Sequence, residues 1–179
     1  MQKRPIFTIG YGNREISDCI VLLKRYDIKF LIDVRSKPFS SFNPYFSKNN
    51  LEYFLKQNQI RYVFMGDLLG GVPQIEACYT NGRVDYSKVE QQLFYQRGIS
   101  RLQTAWEKQV PVALMCSEEK PEECHRSKLI GRTLEKKGIP VVHIDQTGEL
   151  VSQQEVIERI SGGQLSLFEE VYMSNRKYL

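Results

Sequence analysis

The segment CSEEKPEECHR, residues 116–126, gathers the side chains of this chain that are best suited to chemistry. Cys124, His125 and Arg126 open a predicted helix, and the helix dipole lowers the pKa of a thiol at that position. His125 adds a base and Arg126 an anion-binding cation in the same turn, and Glu118 adds a carboxylate just after a predicted strand. We therefore predict catalytic residues here, with Cys124 either a nucleophile or a buried structural thiol.

Metal and cofactor sites are less well supported by the sequence. The possible zinc ligands are Cys116, Cys124, His125 and His143. Their spacing lacks the usual close cysteine pair, and adjacent side chains on a helix point in different directions. His143 is better interpreted as a packed histidine that forms hydrogen bonds at a strand end. The stretch TIGYGN, residues 8–13, lacks the third glycine of a dinucleotide-binding loop, so we predict no metal and no cofactor.

A second candidate site is the segment IDVRSKPFSSFNPYFSK, residues 32–48. Asp33 lies at a predicted strand end, where a buried carboxylate needs a partner, and Arg35 is the nearest cation. Lys37 and Lys48 add positive charge for binding phosphate. The segment also carries four aromatic residues: Phe39, Phe42, Tyr45 and Phe46. Cations and rings together suit the phosphates and bases of a nucleic-acid strand, but the same rings can instead form a lid packed into the core.

Five short apolar runs predict the strands that position these residues. The runs are PIFTIG, KFLIDV, RYVFMG, VPVALMC and IPVVHID. Each is nearly continuous rather than alternating, which is typical of strands buried on both faces of a parallel sheet. Because ligands bind at the carboxyl ends of such strands, the polar segments that follow them should meet at one edge of the sheet.

Helical periodicity lies between and after these runs. The segment from Asp85 to Lys108 predicts one or two helices, broken near Gly98. Gly138 ends a later helix as a C-terminal cap, and Ser152 with Glu155 predicts a capping box for the last one. Strands that alternate with helices indicate an α/β domain.

The predicted fold is therefore α/β and Rossmann-like, with about five mostly parallel strands and helices on both faces in three layers. A length of 179 residues, with 41% hydrophobic and 26% charged residues, suits one globular domain. The composition changes after the last predicted helix. We predict a domain over residues 1–160 and a short C-terminal tail over residues 161–179.

Several classes of protein are excluded by composition. The sequence contains no run of 18 apolar residues, the length that would be needed to span a membrane, and the N-terminal apolar run is too short for a secretory signal. The four cysteines are dispersed, unlike a disulfide framework, so we expect a cytoplasmic protein. The net charge of +4 is compatible with binding to nucleic acid but is only weak evidence for it.

The motifs taken together resemble the domain-of-unknown-function family numbered 488. The stretches that carry the resemblance are TIGYGN, DVRSKPFS, LGG, LMCSEEKPEECHR and VVHI, in this order over about 140 residues. One departure is Tyr11-Gly12, where members often have a small or hydroxyl residue after the glycine. The resemblance implies an α/β domain but no stated reaction. It also implies a shared site, formed by Asp33, Arg35, Glu118, Cys124, His125 and Arg126.

The C-terminal stretch QLSLF, residues 164–168, is similar to the pentapeptide by which bacterial polymerases and repair proteins bind the DNA sliding clamp. Leu167 and Phe168 are adjacent apolar anchors, preceded by Leu165, and the amide of Gln164 can form hydrogen bonds at a pocket edge. The alternative is that these residues pack on the body as an edge strand.

These observations predict a bacterial nucleic-acid-associated protein, an enzyme of DNA repair or processing that is recruited by the sliding clamp. Arg35, Lys37, Lys48 and Arg126 would bind phosphate. Two alternatives stay open at this point. One is a small-molecule enzyme that acts on a nucleotide or another anionic metabolite, and the other is a clamp-binding adaptor without catalysis.

Overall fold

A six-stranded sheet forms the centre of the molecule. The structure is a computed structural model that describes residues 3–162 and 172–179. Its strands in chain order are β1 (Ile6–Gly10), β2 (Phe30–Asp33), β3 (Arg61–Phe64), β4 (Tyr79–Thr80), β5 (Arg83–Asp85), β6 (Val112–Cys116), β7 (Val141–Ile144), β8 (Leu150–Ser152) and β9 (Met173–Lys177). The central sheet has the order β3-β2-β6-β1-β7-β8. All its neighbours pair in parallel except β8, which runs antiparallel to β7.

Seven α-helices connect or follow these strands in the part of the chain that the structure describes. They are α1 (Ile16–Arg25), α2 (Lys48–Gln57), α3 (Gly66–Leu69), α4 (Tyr86–Glu90), α5 (Leu93–Glu107), α6 (Arg132–Lys136) and α7 (Gln153–Ser161). A π-helical stretch, Arg126–Gly131, leads directly into α6.

The predicted helix break near Gly98 is wrong. The break falls at residues 91–92, between α4 and α5, and Gly98 is buried inside α5. A Cβ atom at Gly98 would lie 2.6 Å from Cδ2 of Leu69. The glycine therefore permits α3 to pack closely against α5, a tertiary reason that local sequence does not reveal.

The helices cover both faces of the sheet, as predicted. On one face, Leu23 of α1 and Leu51 of α2 pack against Leu31 and Met115. On the other face, α3, α4, α5 and α6 share a second apolar cluster with the alternate residues of the same strands. The α/β fold with a mostly parallel sheet is confirmed. The strand count is larger than five.

Two predicted helix caps are confirmed. Ser152 and Glu155 form the capping box of α7, with each side chain bonded to the other residue's backbone N–H. Gly138 follows α6 in the left-handed region, at φ +72°. None of the helices in the described ranges combines the length and apolar character needed to cross a membrane.

A second sheet, which the sequence did not predict, packs beside the first. It contains the short antiparallel strands β4, β5 and β9. Val84 N donates to Ser174 Oγ at 2.9 Å, and Tyr178 N donates to Gly82 O at 2.7 Å. The last residues of the chain are thus paired with its middle. The division at residue 160 stays a prediction, and residues 164–168, with the sequence QLSLF, lie outside the described residues.

Candidate functional site

A cavity of about 980 Å³ opens at the carboxyl ends of β2 and β6. Its reactive lining groups are Cys116, Cys124 and His125. Its ring-bearing residues are Tyr11, Phe39, Tyr79, Tyr86 and Tyr178. Its charged residues are Arg35, Lys37, Glu76, Glu118, Glu123 and Arg176. The polar segments after β1, β2 and β6 therefore share one edge of the sheet, as a parallel arrangement requires.

The two cysteines and the histidine converge on one point of the cavity wall. His125 Nδ1 lies 3.7 Å from Cys116 Sγ and 3.6 Å from Cys124 Sγ. These three atoms all lie within 4.8 Å of one another. Nε2 of His125 lies 3.2 Å from the carbonyl oxygen of Val34. Because a carbonyl only accepts, Nε2 carries the proton and Nδ1 faces the two sulfur atoms.

The expectation that Cys124 and His125 diverge along a helix is wrong. Cys124 has extended backbone, with φ −118° and ψ 148°, and the helical stretch begins only at Arg126. An extended residue followed by a helical one turns the chain, so the neighbouring side chains can meet. Cys124 N donates to Pro121 O at 3.1 Å, which fixes this turn.

The two thiols differ in their electrostatic surroundings. A hydrogen bond from Cys124 and the positive charges of His125 and Arg126 lower the pKa of the Cys116 thiol, against the opposing effect of burial. Burial raises the pKa of Cys124. The expectation of a lowered pKa for Cys124 is therefore wrong, because its sulfur is buried and shares a proton with Cys116. Of the two thiols, Cys116 has the lower pKa.

Arg126 lies behind the cavity and is fully buried. Its guanidinium donates to the carbonyl oxygens of Glu118 and Glu119, the second at 3.0 Å. It therefore holds the backbone that follows Cys116, and Glu118 is one of the residues that line the cavity. Phosphate binding by Arg126, as predicted from sequence, would require its release from these carbonyls.

Asp33 and Arg35 form a buried ion pair at the end of β2. Arg35 Nε and an Arg35 terminal nitrogen donate to the two Asp33 oxygens at 2.9 and 2.7 Å. Tyr62 donates its hydroxyl to Asp33 at 2.8 Å, and Arg35 also donates to Phe46 O at 2.7 Å. The pair anchors the following loop, and Arg35 forms part of the cavity wall.

The aromatic loop, residues 35–47, divides its rings between core and surface. Phe46 is buried and stacks on Tyr11, with ring centroids 4.2 Å apart. Phe39 and Phe42 are 72% and 82% exposed. The lid interpretation thus holds for Phe46 and not for these two residues.

The two lysines of this segment lie in different surroundings. Lys37 lines the cavity beside Phe39. Lys48 Nζ lies 5.4 Å from the ring centroid of Phe64 and does not line the cavity. Of this pair, only Lys37 is therefore placed to contact a ligand in the cavity.

His143 is a structural residue away from the cavity. Nδ1 accepts from the Thr8 hydroxyl at 2.7 Å, and Nε2 donates to Gln153 Oε1 at 2.6 Å. Burial and the nearby charge of Arg126 lower the pKa of His143 to about 3. It is neutral and fully hydrogen-bonded, so it is not available as a ligand to the cysteine and histidine cluster.

The family of the protein follows from the chain's match to a known family model. The model of the family described as Domain of unknown function DUF488 matches residues 15–133, about two thirds of the chain. The chain belongs to the DUF488 family. No curated protein and no solved structure matches it. The DUF488 match includes the aromatic loop and the three residues Cys116, Cys124 and His125, and it ends before β7 and β9.

Some cavity residues of this DUF488 chain were missed by sequence reasoning. The sequence analysis names Cys116 only as a possible zinc ligand, although its position at the end of a central strand is a usable signal. Ser174, Asn175 and Arg176 of β9 line one wall, and their polar stretch carries no strand pattern. Gly71 enters the sequence analysis only within the stretch LGG, and a Cβ there would lie 2.8 Å from the His125 ring.

Proposed function

We propose that this DUF488 protein is an enzyme that processes nucleic acid, binding one nucleotide of a strand in the cavity beside Cys116, Cys124 and His125. The observation that supports this most is the pair of exposed rings on the aromatic loop, Phe39, which lines the cavity, and Phe42, three residues further along. Exposed aromatic rings beside a cavity can bind a nucleic-acid strand, because bases of any sequence stack on such rings.

The aromatic loop is held in place by hydrogen bonds at several points. Ser40 N donates to Ser47 Oγ at 3.1 Å, and Asn43 N donates to Ser40 Oγ at 3.0 Å. Lys48 N donates to Pro38 O at 2.9 Å. A loop fixed in this way presents its rings to solvent without the entropy cost of ordering them on binding. This favours a surface built for recognition.

The cavity itself has the size and chemistry that a nucleotide requires. A volume of about 980 Å³ lies at the upper end of the range for small-ligand sites. Lys37 and Arg176 supply positive charge for phosphate, while Phe39 supplies an exposed ring. Glu118 and Glu123 also line the cavity, and a carboxylate there can accept a proton during a reaction.

Replacing Phe39 and Phe42 with alanine should weaken binding of single-stranded DNA without unfolding the protein. Stacking contributes about 1–3 kcal/mol per base, so each substitution should raise the Kd by about 5- to 150-fold. Neither ring is part of the core, so the free energy of unfolding should change little. Fluorescence anisotropy with a labelled oligonucleotide at fixed salt measures the Kd.

The matched control is Leu93→Ala, since Leu93 is 71% exposed on α5 and does not line the cavity. It should leave the Kd unchanged. Equal Kd values for the control and the loop variants would contradict the proposed surface. Tight binding of a mononucleotide together with salt-independent, negligible binding of DNA would favour the small-molecule alternative.

We further propose the DNA sliding clamp as a partner, on the sequence of residues 164–168 alone. A variant with Leu167→Ala and Phe168→Ala should lose clamp binding, because these are the two apolar anchors of the peptide. Titration of purified clamp in a calorimeter measures this. The control is Leu179→Ala, an exposed C-terminal residue outside the pentapeptide, which should bind as the unmodified chain does. Equal binding by all three proteins, or by none, would reject the partner.

A further inference from the structure

We propose that Cys116, Cys124 and His125 bind one zinc ion, with a fourth coordination position open to the cavity. The inference deepens the proposed function, and it rests on that function only where it assigns the open position to a nucleotide or nucleic-acid substrate. The site itself is argued from the geometry of three side chains that come from β6 and from the turn after residues 121–123.

The two sulfur–nitrogen separations among the three donor atoms match a tetrahedral metal site. With zinc–sulfur and zinc–nitrogen bonds of about 2.3 and 2.0–2.1 Å, a tetrahedral site places sulfur about 3.6 Å from nitrogen. The observed distances from His125 Nδ1 are 3.6 Å to Cys124 Sγ and 3.7 Å to Cys116 Sγ. Both sulfur–nitrogen distances are thus close to those expected in a tetrahedral zinc site.

The histidine ring is also oriented as in a metal ligand. Nε2 donates to the Val34 carbonyl at 3.2 Å, which leaves Nδ1 free to bind the ion. The backbone of Gly71 lies against the ring, because a Cβ there would approach Cγ and Nδ1 to 2.8 Å. Arg126 N donates to Cys124 Sγ at 3.4 Å, and such a bond supports a thiolate. The donors are therefore held before any ion arrives.

A cysteine nucleophile activated by histidine explains the arrangement less well. That mechanism needs one thiol beside the base, whereas here two sulfur atoms lie almost equally far from the same nitrogen. A soft donor set of two sulfurs and one imidazole instead suits zinc, and a set of three protein ligands is typical of a catalytic rather than a structural zinc site. All three ligand residues line the cavity, so the remaining position faces the space that a substrate would enter.

The test is cobalt and zinc titration of the full chain after treatment with a chelator under reducing conditions. One Co²⁺ per chain should bind with the intense absorption of thiolate-to-cobalt charge transfer, and Zn²⁺ should displace it. X-ray absorption of the zinc-loaded protein should show two sulfur neighbours and light-atom neighbours that include an imidazole. Neither measurement requires a variant, so a misfolded variant cannot hide the result.

Variants then assign the ligands. Cys116→Ser, Cys124→Ser and His125→Gln should each weaken binding by at least about 100-fold, more than the loss of a group that only supports a ligand. Cys19→Ala is the matched control, because Cys19 is a buried thiol of α1 in the opposite core cluster. Burial raises the pKa of Cys19 to about 12, so it should contribute nothing to binding.

Three results would overturn the zinc site: no stoichiometric binding, a cobalt spectrum without thiolate character, or unchanged binding in both cysteine variants. The proposed function is tested separately, since oligonucleotide binding by Phe39 and Phe42 needs no metal. A chain that binds zinc but no nucleic acid or nucleotide keeps the metal site and rejects the proposed function. The reverse result rejects only the metal site.

Discussion

Replacing Asp33 with asparagine should lower the free energy of unfolding by about 3–5 kcal/mol, because it leaves the charge of Arg35 buried without its counter-ion. Arg35 is only 5% exposed and Asp33 is fully buried. Asparagine offers one acceptor oxygen where the carboxylate offers two, and its amide would face the donors of Arg35 or Tyr62. Urea unfolding followed by circular dichroism measures the loss.

The double variant Asp33→Asn, Arg35→Gln separates charge from packing. It removes both charges, so it should recover a substantial part of the stability that the single variant loses. Asp27→Asn is the surface control, since Asp27 pairs with Arg4 and Lys29 in exposed positions and should matter far less. A single variant at Asp33 within about 1 kcal/mol of the unmodified chain would contradict a stabilising buried pair.

The Asp33–Arg35 pair also illustrates what the sequence could predict. A carboxylate at the end of an apolar strand must be paired if it is buried, and the nearest cation is two residues away. The five parallel strands were predictable for a similar reason. Nearly continuous apolar runs of about four to six residues are typical of strands in a sheet that is covered on both faces.

The cysteine and histidine cluster was harder to predict, because it depends on one backbone conformation. With Cys124 in the helix, its side chain and that of His125 would diverge. With Cys124 extended, both reach the end of β6 and meet Cys116. Nothing in the residues ECHR fixes where the helical stretch begins, and a shift of two residues changes the predicted chemistry.

Which rings of the aromatic loop are buried could not be predicted from residue type. Phe39, Phe42 and Phe46 are chemically identical, yet only Phe46 stacks on a partner, the ring of Tyr11 in the turn after β1. The second sheet was missed for a related reason. The strands β4 and β5 contain only two and three residues, and the five residues of β9 are mostly polar, so none of them shows an apolar strand pattern. Their pairing also joins distant parts of the chain.

Among substitutions that add a side-chain atom in a crowded position, Gly10→Ala at the end of β1 should cause the largest loss in the free energy of unfolding. Gly10 pairs with Cys116 in the sheet register, and Tyr11 N donates to Cys116 O at 3.1 Å. The first turn therefore continues alongside the segment that follows β6. A Cβ at Gly10 would lie 1.7 Å from Glu118 O and 2.8 Å from a terminal nitrogen of Arg126.

This overlap cannot be relieved by rotating a side chain, because the Glu118 oxygen belongs to the backbone. The carbonyl must move away, and it is also an acceptor for Arg126, whose guanidinium is buried. Overpacking in well-packed cores already costs about 1–3 kcal/mol, so the variant should lose about 3 kcal/mol or more. It should also bind zinc less tightly, since the displaced segment begins at Cys116.

Gly138→Ala is the matched control for Gly10→Ala. Gly138 has a positive φ of 72°, but a Cβ at this position would have no atom within 4 Å, so the variant tests backbone strain without a clash. Its cost should be about 1–2 kcal/mol, the penalty of a left-handed alanine. Equal losses of unfolding free energy for the two variants would mean that the close contact at Gly10 has no special effect. A larger loss of unfolding free energy for Gly10→Ala, together with weaker cobalt binding, would show that Gly10 helps to position the cysteine and histidine cluster. The motif TIGYGN alone does not indicate this role.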